Sequence, residues 1–279
     1  MKKKRTLKQR MMSLVVVLVA LYVIYCGAVF ILQGSLIYPA GFAGEAGDAK
    51  PTADTERLEL TTDEGTTVAW LVPAPAVDDD GTAPLVVFLH GNAELIDHQQ
   101  DIVNLYRGLG AAVLLIEYRG YGHSNGTPVQ ASIVDDAVAI IERVVARDEI
   151  DADRLVLHGR SIGGMLAAQV ALRTKPAGLI VESSGRSVAG MSWRYGVPPF
   201  LVRSPLRTEQ AFGELDIPIL IMHGRNDEIF AISHAEALHA AASDSTLVLF
   251  DASHNTLPNG AEIAMYNESV GEHLRRSGF

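Results

Sequence analysis

Gly159-Arg160-Ser161-Ile162-Gly163 follows directly on the apolar run Arg154-Leu155-Val156-Leu157-His158. A strand that ends in Gly-x-Ser-x-Gly and turns at once into a helix makes a nucleophile elbow. The turn is so sharp that side chains two residues to either side of the serine would collide, and only hydrogen fits there. The serine hydroxyl is lifted clear of the backbone, and the next N–H points to where a substrate carbonyl would sit. Small-x-Ser-x-small also arises by chance in a chain with 25 glycines, so the motif needs partners.

A serine nucleophile needs a base, and the base needs a carboxylate to hold its tautomer. The run Ile217-Pro218-Ile219-Leu220-Ile221-Met222 ends in His223-Gly224-Arg225-Asn226-Asp227, and Thr246-Leu247-Val248-Leu249-Phe250 ends in Asp251-Ala252-Ser253-His254-Asn255. The order Ser161, Asp227, His254 places each residue in a loop after a strand, and parallel strands bring such loops to one edge of a sheet. Upstream, Leu85-Val86-Val87-Phe88-Leu89 leads into His90-Gly91-Asn92-Ala93. The backbone N–H groups of Asn92 and Ile162 are assigned as the oxyanion hole, with Ala93 as the alternative to Asn92.

The other histidines fit less well as the base. His234, His239 and His273 fall in helical segments and are expected at the surface, His90 and His223 end strands beside glycine, and His158 points into sheet packing. His123 is a candidate for lining the pocket. His254 remains as the base. A catalytic metal is not expected, since no His-x-x-x-His pair lies near this chemistry and His234 and His239 are five residues apart. No cofactor is expected.

Apolar strands centred near Val87, Leu114, Val156, Ile180, Leu220 and Val248 alternate with helical segments, which implies a parallel sheet covered on both faces. Arg57–Leu60 and Thr67–Val72 flank Asp63-Glu64-Gly65, a hairpin signal. Ser132 with Asp135, and Ser233 with Glu236, have the spacing of helix capping boxes.

The phrases FLHGNAE, EYRGYGHSNG, LHGRSIGG, VESSGRS, HGRNDEIF and SHN, in this order, resemble the α/β-hydrolase superfamily. More narrowly they resemble the membrane-anchored serine hydrolases of the BEM46-like group, with the mammalian α/β-hydrolase domain (ABHD) proteins 12, 13 and 17. The resemblance runs from about Gln33 to the C-terminus. It implies an α/β-hydrolase fold with an eight-stranded, mostly parallel sheet, and hydrolysis of an ester, thioester or amide. It does not imply a substrate, because the fold hosts many chemistries. It also places a short cap at about 183–216, where Trp193, Tyr195 and Phe200 are the candidate substrate-binding residues, interleaved with Arg186, Arg194, Arg203 and Arg207. A lipid-like acyl substrate fits an apolar cap beside a bilayer, while packing of the cap onto the domain explains the same residues.

Residues 2–10 hold Lys2, Lys3, Lys4, Arg5, Lys8 and Arg10, and no charged residue follows until Glu45. Ser13 to Leu32 is almost wholly apolar, and twenty helical residues span roughly 30 Å, the thickness of a bilayer core. An uncleaved anchor is favoured over a secretory signal, whose apolar core is shorter and ends in a small-x-small cleavage site. The expected organisation is a basic cytoplasmic segment at 1–10, a transmembrane signal anchor at 11–33, a linker or irregular wrap at 34–55 and a catalytic domain at 56–279. The positive-inside rule puts the N-terminus in the cytoplasm and the catalytic domain on the other side.

Removing the six N-terminal positives from a formal charge of −10 leaves −16, which disfavours nucleic acid as a partner. The single cysteine, Cys26, lies in the apolar span, so no intrachain disulfide forms and the redox compartment stays open. The oligomeric state is not legible. A non-catalytic binding domain is the competing class, disfavoured because it has no physical need for nucleophile, acid, base and oxyanion loop together. A peptidase or amidase would use the same three residues.

Overall fold

The strands at the centre of the molecule are short apolar runs with no polar face, as expected where helices cover a sheet on both sides. A computed structural model describes residues 6–47 and 50–279. Lys2, Lys3, Lys4 and Arg5 of the basic segment lie outside the described residues. The strands are β1 (Glu56–Thr62), β2 (Gly65–Val72), β3 (Ala83–Leu89), β4 (Ala112–Ile116), β5 (Ile150–Arg160), β6 (Gly178–Glu182), β7 (Ile219–Gly224) and β8 (Ser245–Phe250). They form one sheet in the order β1-β2-β4-β3-β5-β6-β7-β8. β1 and β2 are an antiparallel hairpin, β2 pairs antiparallel with β4, and every later pairing is parallel. This is the α/β-hydrolase fold.

The helices are α1 (Leu7–Ile37), α2 (Gln100–Gly108), α3 (Gln130–Val145), α4 (Ile162–Thr174), α5 (Val188–Met191), α6 (Thr208–Glu214), α7 (Ser233–Ala241) and α8 (Ile263–Arg276). Successive strand residues face opposite sides of the sheet. Leu85, Val87 and Leu89 of β3 therefore join one core, with α3, α4, α6 and α7. Val86 and Phe88 join the other, with Val103 and Tyr106 of α2 and Tyr266, Val270 and Leu274 of α8.

α1 contains the expected span and extends beyond it at both ends, and among the described residues it is the one helix long and apolar enough to cross a membrane. The segment after it wraps the domain, with Tyr38 and Ala43 buried in the core. The cap is built from α5, 3-10 turns at Ser192–Tyr195 and Pro199–Leu201, and α6, closed at its base by a bridge between Ser187 and Arg207.

Three local expectations fail. α3 starts at Gln130 without a side-chain cap, because the Gln130 N–H donates to Ser204 Oγ at 3.0 Å and Ser132 Oγ turns back to the Val129 carbonyl. α7 has Ile232, already in helical conformation, at its N-cap, so Ser233 sits inside the helix instead of capping it. His273 is buried rather than exposed, because the inner face of α8 lies so close to β6 that a Cβ on Gly178 would meet its ring at 2.8 Å.

Candidate active site

Four chain segments reach one edge of the sheet. β5 leads directly into Ser161, whose φ of 55° and ψ of −118° put a non-glycine residue in a strained conformation. The flanking glycines make the turn possible: a Cβ at Gly159 would run into the Gly163 carbonyl, and one at Gly163 into the Leu89 carbonyl of the neighbouring strand. The Ser161 N–H donates to the Glu182 carbonyl at 2.8 Å, and Ser184 Oγ donates to the Ser161 carbonyl at 2.9 Å, so the elbow is tied to β6. α4 begins at the next residue, which directs the positive end of its dipole toward the serine.

His254, in the loop after β8, stands with Nε2 3.0 Å from Ser161 Oγ and Nδ1 2.8 Å from Asp227 Oδ2. Asp227 lies in the loop after β7. Its other oxygen accepts from the N–H groups of Ile229 at 2.9 Å and Phe230 at 2.7 Å. Burial works to raise the Asp227 carboxyl, but the hydrogen bonds from His254, Phe230 and Ile229 outweigh it and hold the group below the ordinary carboxylate range. An ionised carboxylate only accepts hydrogen bonds, so the proton sits on His254 Nδ1 and the Nε2 lone pair faces Ser161.

The loop after β3 closes the fourth side. Asn92 is held by its side chain: Nδ2 donates to the Ile37 carbonyl at 2.9 Å, and Oδ1 accepts from Tyr121 Oη at 3.0 Å. Among the described residues nothing accepts from the backbone N–H of Asn92, Ala93 or Ile162. All three are thus free to donate to a ligand, and Ala93 stays an alternative to Asn92.

Beneath this edge lie half-buried and buried ionic groups that sequence reasoning missed. Arg160 donates to Glu94 Oε1 at 3.2 Å and to the Leu257 carbonyl at 2.7 Å, while Glu94 Oε2 accepts from the Gly91 N–H at 3.1 Å. One guanidinium thereby joins the elbow, the loop after β3 and the His254 loop. Behind it, burial would raise the Glu182 carboxyl, but the charge of Arg160 and the hydrogen bond from His158 at 3.0 Å lower it. His90 Nε2 lies 2.9 Å from Glu117 Oε1, both fully buried. Burial disfavours the charged imidazole, yet the contact with Glu117 outweighs it and raises the His90 pKa. His123 lies away from the cavity, tilted against the Trp70 ring and bonded to Asp97 at 3.1 Å.

A cavity of about 650 Å³ rises from Ser161 and His254. Gly91, Asn92, Arg160 and Ile162 form its floor, the cap supplies Val188, Met191, Tyr195, Val197, Leu201 and Val202, and α1 supplies Tyr25, Val29, Phe30, Gln33, Leu36 and Ile37. Of the three cap aromatics expected at the site, only Tyr195 lines it. Trp193 and Phe200 stand outside the lining, 62% and 85% exposed, because each lies on the solvent side of the 3-10 turn that carries it.

This arrangement, a serine elbow facing an Asp-paired histidine at the edge of a mostly parallel eight-stranded sheet, is that of the α/β-hydrolase fold. Residues 81–204 match the family described as serine aminopeptidase, S33. Among relatives, the uncharacterized protein YfhR of Escherichia coli (strain K12) is 28% identical over 79% of this chain and 78% of its own length. The protein bem46 of Schizosaccharomyces pombe is 27% identical over 78% of this chain and 76% of its own. The solved structure of Est1E from Butyrivibrio proteoclasticus with ferulic acid superposes with a TM-score of 0.65 at 18% identity, covering 79% of this chain and 98% of that one. At that identity the likeness is one of fold.

Proposed function

We propose that the chain is a membrane-anchored serine hydrolase that cleaves carboxylic ester or thioester bonds through an acyl-enzyme. The single observation that carries this reading is the alignment of Ser161 Oγ, His254 Nε2, His254 Nδ1 and Asp227 Oδ2 at the floor of an apolar cavity. His254 takes the Ser161 proton as Oγ bonds to the acyl carbon. The N–H groups of Asn92 and Ile162 donate to the oxygen that becomes negative, aided by the α4 dipole. His254 then gives its proton to the departing alcohol or thiol as the bond to the acyl carbon breaks. Water repeats the sequence, losing a proton to His254 and releasing a carboxylic acid with the Ser161 hydroxyl restored. Asp227 stays ionised and supports the imidazolium throughout.

An aminopeptidase would use the same groups but must also hold a free α-ammonium. Among the described residues the only acid lining the cavity is Glu94, already paired with Arg160 and the Gly91 N–H. An apolar acyl group fits the remaining walls better. The anchor reading rests on the length of α1 and the basic residues before it, and the positive-inside rule then places the catalytic domain on the non-cytoplasmic side.

Hydrolysis should be measured on the purified full chain against a panel of esters, thioesters and aminoacyl amides. Ester or thioester turnover that disappears in Ser161→Ala is expected. Turnover confined to aminoacyl amides would replace this reading by the peptidase one. Protease added outside intact cells should reach the domain, and protection until the membrane is broken would reverse the orientation.

A further inference from the structure

We infer that α1 is one wall of the acyl-binding cavity as well as an anchor, and that the side chain at Val29 sets how long an acyl chain Ser161 accepts. This rests on the acyl-hydrolase reading above and concerns a part of the chain that a simple anchor would leave idle. Tyr22, Tyr25, Cys26, Val29, Gln33 and Ile37 recur at helical spacing and form one stripe along α1. The three polar side chains of that stripe all bond to cap backbone. Tyr22 Oη donates to the Gly196 carbonyl at 2.9 Å, and Tyr25 Oη donates to the Tyr195 carbonyl at 2.5 Å. The Gln33 amide donates to the Leu201 carbonyl at 3.1 Å and accepts from the Arg203 N–H at 2.6 Å.

A helix needed only to dissolve in lipid has no use for these groups, because polar atoms in hydrocarbon are costly unless partnered. Here they fix the helix against the cap over about 16 Å of its length, roughly half the thickness of a bilayer core. Gln33, 7% exposed, is among the few buried residues of α1. Between the docked helix and the cap, Val29, Phe30 and Leu36 face the same space as Met191 and Val197, with Ser161 and His254 below. The bond from Asn92 Nδ2 to the Ile37 carbonyl continues the wall to the oxyanion loop. The charged lining residues, Glu94 and Arg160, are at the floor, so the space above suits an uncharged chain. Its volume of about 650 Å³ lies within the range of small-molecule sites. The ligand class is a medium- or long-chain acyl ester or thioester lying along α1.

The test uses the full chain in detergent, p-nitrophenyl esters from acetyl to myristoyl, and fluorophosphonate labelling as a readout of Ser161 independent of chain length. Each methylene accommodated is worth about fourfold in kcat/KM. Val29→Trp narrows the cavity and is expected to move the optimum at least two carbons shorter, read as the ratio of long- to short-ester kcat/KM. Val29→Ala opens the cavity without overpacking and is expected to move the optimum longer. Ile24→Trp puts the same side chain on the exposed side of α1 and should leave the profile in place. Unshifted profiles in both Val29 variants, or an equal shift in Ile24→Trp, would overturn the proposal while leaving the hydrolase reading intact. Absence of labelling in the unaltered chain would overturn both.

Discussion

At the floor of the cavity Ser161, Asp227 and His254 are fixed by backbone geometry and buried acceptors, whereas at its roof the cap and α1 meet across an apolar seam through three polar side chains bonded to carbonyls. The floor carries a charge pair, Arg160 with Glu94. The roof carries none that line the cavity. This division separates chemistry from selection: disturbing the floor should remove catalysis, and disturbing the roof should change which substrate is taken.

The largest effect belongs to the floor. Ser161→Ala and His254→Ala should each lower kcat by roughly 10⁴- to 10⁶-fold, and the double variant should be no worse, because the two act as one unit. Single-turnover kinetics on folded variants checks this, and near-normal turnover by the His254 variant would show that another base is used.

Acid sensitivity should also come from buried groups beneath the site. Burial lowers the His273 pKa from 6.5 to about 4, with Arg276 contributing. A folded pKa below the unfolded one means the unfolded chain binds more protons between these values, so stability falls as pH drops through that window. The loss at pH 4 is about 3 kcal/mol relative to neutrality. His273→Gln should flatten denaturation midpoints between pH 6.5 and 4; an unchanged pH slope would contradict the assignment. Asp227 and Glu182, whose pKa values are lowered, lose their contribution as pH falls below the ordinary carboxylate range toward their folded values.

Arg160→Met should lower kcat by roughly tenfold with little change in KM, since it frees the oxyanion and His254 loops without altering the walls. A change confined to KM would move Arg160 from positioning to substrate binding. The smallest effect is expected at the roof. Gln33→Leu removes two hydrogen bonds between α1 and the cap and should raise KM for long esters by about threefold, with acetyl-ester turnover unaltered. Equal losses for both substrates would mean that roof and floor are not separable.

What could be read from the sequence divides along the same line. The elbow was legible because strand, glycines and serine are contiguous, and the sheet because each strand is an uninterrupted apolar run. Asp227 and His254 were found because each closes such a run. The clamp through Arg160 was not legible, since its partners Glu94 and Leu257 lie far away in the chain and an arginine beside a serine carries no signal of its own. The roof was half legible. The docked face of α1 was not read, because Gln33 follows directly on the apolar run and nothing local says which carbonyl it meets. Trp193 and Phe200 were misplaced because aromatic content does not specify direction in short 3-10 turns. The capping residues of α3 failed because a distant hydroxyl, Ser204, satisfies the first amide.

The most direct test of the account is to trap the acyl-enzyme. The full chain should be mixed with a long-chain p-nitrophenyl ester, quenched in acid within the first turnovers, digested, and searched by mass spectrometry for the acyl group. The acyl mass is expected on the peptide containing Ser161, released on longer incubation at neutral pH and absent from Ser161→Ala. Acylation of another residue, or full turnover by Ser161→Ala, would contradict it.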